Sequence, residues 1–109
     1  MAKTYKVLGQ INPTATTAST AYTVPSSTQT VISTITVCNL ASTSATYRIA
    51  VRPDGESLAN KHYVVYDSTL PANDTIAMTL GITINSSDII TVYSSSASVS
   101  FNIYGSEIS

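Results

Sequence analysis

The chain has 109 residues, 43% of them hydrophobic and only 10% charged, against roughly 25% charged in an ordinary soluble domain. Serine and threonine, 17 of each, fill the deficit, and five basic against six acidic side chains leave a net charge of −1. That balance excludes the basic footprint of a nucleic-acid or anionic-membrane binder, and the length excludes two comfortable domains.

The chain opens Met1-Ala2-Lys3-Thr4-Tyr5-Lys6, with no apolar run behind its lysines, and no apolar stretch anywhere is long enough for a membrane span. The expectation is synthesis in a reducing cytoplasm with no membrane association. Lys3 to Gly9 has the composition of a strand, whereas Ile11 to Thr20 is rich in Thr and Ala and carries Pro13. Residues 1–20 are therefore expected to form an N-terminal extended arm or edge strand, and residues 21–109 the domain proper. Tyr5, Val7, Leu8 and Ile11 would be wasted on a solvated tail. They are expected to contact another chain, by adding a strand to an open sheet edge.

Tyr22 to Pro25 reads as a short strand ended by its proline. Thr30 to Cys38 alternates, with Val31, Ile35 and Val37 on one face and Thr34 and Thr36 on the other. A loop of small polar residues, Asn39 to Ser44, leads into Ala45 to Arg52, the clearest alternation in the chain. There Tyr47, Ile49 and Val51 point one way, and Thr46, Arg48 and Arg52 the other. Arg52-Pro53-Asp54-Gly55 signals a turn, and between Glu56 and His62 there is room for one helical turn. His62 to Asp67 is a shorter, more continuously apolar strand. After a turn at Leu70 to Asp74, the run Thr75 to Ile84 sets Ile76, Met78, Leu80, Ile82 and Ile84 on even positions, with Gly81 as a bulge or bend. A turn at Asn85 to Asp88 precedes two last strands, Asp88 to Ser94 and Ser98 to Tyr104. Val99, Phe101 and Ile103 share a face of the second. The fold class expected is all-β: a single antiparallel β-sandwich of seven or eight strands, jelly-roll-like or immunoglobulin-like.

Groups able to do chemistry are sparse. His62 is the sole histidine, with Asp54, Glu56 and Asp67 near it in sequence but no nucleophile motif, so no catalytic residue and no enzyme is expected. Cys38, the one cysteine, has no neighbouring cation to lower its pKa and reads as a packed structural thiol. Asp54-Gly55-Glu56 lacks the alternating oxygens of a Ca²⁺ loop, and no glycine-rich phosphate loop occurs, so neither metal nor cofactor is expected. Seven tyrosines stand against one phenylalanine and no tryptophan. A tyrosine buries its ring and keeps a wet hydroxyl, which suits sheet packing, subunit contacts or stacking on sugars. Arg48 and Arg52, two of five cations, share an outward face and are candidates for cross-subunit pairs, with solubility as the plain alternative.

Several segments together point to a family: Tyr22-Thr23-Val24-Pro25, Thr34-Ile35-Thr36-Val37-Cys38-Asn39, Ala50-Val51-Arg52-Pro53 and Ala59-Asn60-Lys61-His62-Tyr63. Asn73-Asp74-Thr75-Ile76, Thr79-Leu80-Gly81-Ile82-Thr83 and the stretch Phe101 to Ile108 belong with them. The chain resembles small virion proteins of tailed bacteriophages, particularly those of marine and cyanobacterial viruses. The resemblance implies a structural part of the virion made in the host bacterial cytoplasm, without fixing it to capsid or tail; the first expectation is a capsid decoration or cement protein. It leaves open a tail, collar or fibre-attachment component, and a host-glycan-binding module stands as the alternative from another class. The expected partners are other virion proteins, the major capsid protein or tail proteins, and, from the apolar arm and the tyrosine excess, copies of the same chain in a trimer or other symmetric oligomer.

Overall fold

A computed structural model describes residues 2–109 and contains strands and two single 3-10 turns. The strands are β1 (Lys3–Ile11), β2 (Ser19–Thr23), β3 (Gln29–Asn39), β4 (Ala45–Arg52), β5 (Tyr63–Leu70), β6 (Thr75–Met78), β7 (Ile82–Ile84), β8 (Ile89–Ser94) and β9 (Val99–Ile108). They form two antiparallel sheets. One runs β1-β9-β3-β6 with β7 also on β3, and the other runs β2-β8-β4-β5. The 3-10 turns, Pro53–Gly55 and Asn60–His62, lie between β4 and β5.

Alternation decides what each sheet buries. Val99, Phe101 and Ile103 of β9 are fully buried, as are Ile35 and Val37 of β3, which lie opposite in register. The other sheet contributes Tyr22, Tyr47, Ile49, Ile90 and Val92 to the same core. Tyr47 meets Phe101 edge to face across the interior, ring centroids 6.4 Å apart. Each such side chain fully withdrawn from water contributes about 1.5–3 kcal/mol.

The expected strands differ from the observed ones where a bulge or break interrupts the period. The β3–β9 register shifts between Ile32 and Thr34, so Ile32, not Val31, joins Ile35 and Val37 inside. Val31 lies on the outer face. The run Thr75 to Ile84 is not one strand, because Gly81 at φ +61° turns the chain and leaves Leu80 exposed between β6 and β7. Lys3–Ile11 is an edge strand paired along its length with β9, and Thr20 falls inside β2. Where β1 passes β2, a Cβ on Gly9 would land on the Ala21 carbonyl oxygen, so only glycine allows the two sheets to close on that side.

Two polar clusters tie the layers. Tyr22, on β2, donates its phenol proton to Glu107 Oε2 at 2.5 Å and accepts from the Thr30 hydroxyl at 2.8 Å, so one ring spans both sheets. Lys6 Nζ completes the group, 3.1 Å from Glu107 Oε1. At the other end, the buried Asn39 side chain donates to the carbonyls of Thr43, Leu70 and Pro71 and accepts from the Ala41 amide. It holds the β3–β4 and β5–β6 loops to one point.

Burial and the Glu107 carboxylate push the Tyr22 phenol up to about 12, while the Tyr22 hydrogen bond holds Glu107 below the usual carboxylate range. A raised folded pKa makes the Tyr22 contribution complete below about 10, the unfolded value, and lost as pH climbs toward the folded one. The lowered Glu107 pKa gives a contribution present above the ordinary carboxylate range and lost as pH falls through the folded value. Tyr22→Phe is accordingly expected to cost about 1–3 kcal/mol at neutral pH. In thermal melts across pH, its deficit should be constant near neutrality and shrink at both the acid and alkaline ends. A deficit independent of pH throughout would refute the charge-assisted bridge.

Candidate functional site

β1 has one side paired and one side free. Ala2 and Ser109 exchange both backbone hydrogen bonds, at 2.8 and 2.9 Å. Antiparallel ladders alternate, so the amides and carbonyls of Lys3, Tyr5 and Val7 face away from β9. Their side chains share the outer face, where Tyr5 is 77% and Val7 47% exposed. Tyr5, Val31 and Tyr104 border a shallow depression of about 450 Å³ on this face. Leu8 and Ile11 go the other way. A register shift between Val7 and Gly9 turns both toward the core, against which they pack. The four apolar anchors of the segment thus split into an outward pair and an inward pair.

Arg52 and Arg48 lie along one strand but serve different ends. The Arg52 guanidinium donates to the carbonyls of Glu56 (2.7 Å) and Gly55 (3.3 Å) and to Thr91 Oγ1 (3.2 Å), holding the turn after β4 against β8. Arg48 sits at the middle of a row across three strands. Tyr93 of β8 is directly opposite it on one side. On the other side the β4–β5 register skips from Tyr47↔Ser68 to Ile49↔Val65, so Tyr66 and Asp67 together face Arg48. This β-bulge rests on Asp67 at φ +51°, a left-handed conformation that aspartate tolerates better than most residues. The guanidinium carbon lies 4.3 Å from the Tyr66 ring centroid and 4.1 Å from that of Tyr93. Nε and Nη2 donate to the two Asp67 oxygens at 2.6 and 3.3 Å, and that carboxylate holds Arg48 above its already high range. Tyr63 abuts Tyr66 edge to face, centroids 4.9 Å apart.

The remaining titratable candidates are engaged locally. His62 is buried at the end of the second 3-10 turn, where Nδ1 accepts from the Ala59 amide at 3.0 Å. Nε2 therefore carries the proton of the neutral ring and donates to Glu56 Oε1 at 3.1 Å. That bond, with Lys61 beside it, holds Glu56 below its usual range. Asp54 donates its amide to Asp88 Oδ1, and Asn85 donates to Asp88 Oδ2, so this acidic stretch builds turns. Cys38 is half-buried on the outer face between Thr75 and Ser100, not packed in the core as expected.

Tyr66, Asp67 and Tyr93 were not singled out as a group by spacing, since they come together only through strand order and a bulge. The available signal was an aspartate interrupting the apolar run that begins at Tyr63. In comparisons with known proteins, the chain matches no family model, no curated protein and no solved structure.

Arg48 and Asp67 are expected to act as a pair. In a double-mutant cycle of Arg48→Gln and Asp67→Asn, the coupling should be about 0.5–1 kcal/mol, since the site is partly exposed. It should weaken in 1 M salt, where the screening length is about 3 Å. Strict additivity of the two single changes in urea unfolding would show the pair to be idle.

Proposed function

We propose that this chain is a non-enzymatic structural protein of a phage particle, foremost a capsid decoration or cement subunit, with the tail, collar or fibre-attachment role second. The observation that carries the reading is the strand order. β6 and β7 lie end to end along β3. Taken as one interrupted strand, they leave eight, and the sheets then run 1-8-3-6 and 2-7-4-5. That arrangement favours a jelly roll, an architecture used by viral capsid and lectin domains. It speaks against an immunoglobulin-like grouping, whose sheets keep consecutive strands A and B side by side. The sequence resemblance to small virion proteins points the same way.

Attachment is by the free edge of β1. A long edge strand with Tyr5 and Val7 outward and no proline, its Lys6 charge taken up by Glu107, is suited to strand addition. The partner is a second virion protein, and repetition around a symmetric shell makes modest single-site affinity sufficient. The sole histidine and both outward arginines of β4 are committed to hydrogen bonds within the chain, which favours a structural role over catalysis.

Proline at position 5 tests this directly. The Tyr5 amide faces away from β9, so Tyr5→Pro removes a donor from the free edge and none from the existing ladder. Binding to purified particles lacking the protein should fall about tenfold or more, with the melting midpoint held within about 5 °C. Lys3→Pro serves as the second variant should the first fail to fold. Full particle binding by a folded proline variant would remove the β1 edge from the attachment. Copy number in the intact particle then separates the roles: decoration requires numbers comparable to the shell subunits, a tail part only a few.

A further inference from the structure

The outer face of the other sheet carries a second feature, remote from β1. Tyr66 is 57% exposed, yet it is held in place on one side by Arg48, itself fixed by Asp67 and backed by Tyr93. Beyond Tyr66, a shallow, open depression of about 450 Å³ is lined by Asn60, Tyr63 and Tyr66, a volume within the roughly 300–1,000 Å³ of small-molecule sites. We infer that this depression binds a neutral pyranose, through the Tyr66 and Tyr63 rings and the Asn60 carboxamide.

The chemistry of the lining selects the ligand. A pyranose has an apolar C–H face and a rim of hydroxyls. The two aromatic rings offer apolar surface, and the phenol hydroxyls and the carboxamide both donate and accept at its border. The charges nearby cancel in pairs: Arg48 is matched by Asp67, and Lys61 lies 3.5 Å from Glu56 Oε1. Nothing is left to attract an acidic sugar, a phosphate or a cationic peptide, which favours an uncharged ligand. The stack of Tyr93, Arg48 and Tyr66, locked by the bulge at Asp67, holds the Tyr66 ring before any ligand arrives, so little ordering remains to be done on binding.

The test uses the full chain, labelled with ¹⁵N and titrated with methyl glucoside, methyl galactoside, methyl mannoside and N-acetylglucosamine, with sialic acid as the charged counterpart. At least one neutral sugar should shift the amides of Asn60, Tyr63, Tyr66 and Asp67 saturably, with an affinity on the order of 1 mM or tighter. Tyr66→Ala should weaken it about tenfold and Asn60→Ala about threefold, whereas Tyr5→Ser on the opposite sheet should leave it unchanged. Because Tyr66→Ala also uncovers Arg48, the Asn60 variant supplies the independent measurement. The inference is overturned if no neutral sugar shifts these amides, if sialic acid binds as tightly, or if both variants bind as the parent does. Those results leave particle attachment through β1 untouched, so the two readings stand or fall separately.

Discussion

A pleated strand sends successive side chains to opposite faces, and a single extra residue exchanges inside for outside from that point on. Register shifts in β1, β2, β3 and against β5 use this rule to place every residue of interest. In β1 the shift leaves Tyr5 and Val7 outside and sends Leu8 and Ile11 inward. In β2 it separates exposed Thr20 from buried Tyr22, which allows the phenol to reach Glu107 on the opposite sheet. In β3 it exchanges Val31 for Ile32. Against β5 it sets a ring and a carboxylate around one arginine. The core, the bridge between the sheets and both exposed surfaces depend on where those extra residues fall.

That dependence explains how much was legible beforehand. Alternation is clear in Ala45 to Arg52 and Ser98 to Tyr104, and both are strands, with Tyr47, Ile49, Val99, Phe101 and Ile103 buried and Val51 partly so. The turns at Asp54, Asn73 and Ser87 all adopt positive φ, as their residue types suggested for the first two. The phase of β3 is not legible in the sequence, because Ile32-Ser33-Thr34 gives no residue-level sign that one position is extra. The Thr75 to Ile84 run kept its even-numbered pattern through Gly81, so periodicity alone could not show that Leu80 leaves the sheet. Arg48 was identifiable as an outward cation. Its partners were not, since two of them sit on β5 and one on β8, brought beside β4 by strand order alone.

The sparse charges are economical in their placement. Lys6, Arg48, Arg52 and Lys61 each bond or pair with a named acceptor, and Glu56, Asp67, Asp88 and Glu107 each receive more than one donor. Charge in this chain fastens turns, the two sheets and one aromatic stack. The rest of the surface is rich in hydroxyls and phenols, with Val7, Leu40, Val64 and Leu80 exposed among them.

The place of β9 has a consequence for how the molecule comes into being. It is the strand between β1 and β3, and Ile108 is paired with both Lys3 and Gln29. During translation β1 has no in-sheet neighbour until residues 99–108 have left the ribosome, and β2 likewise waits for β8. With so few local pairings, the topology belongs to the non-local class associated with slow folding. A chain broken off before Val99 has no centre for its larger sheet. Closure of the larger sheet is thereby conditional on residues 99–108, whatever the order in which the other strands meet.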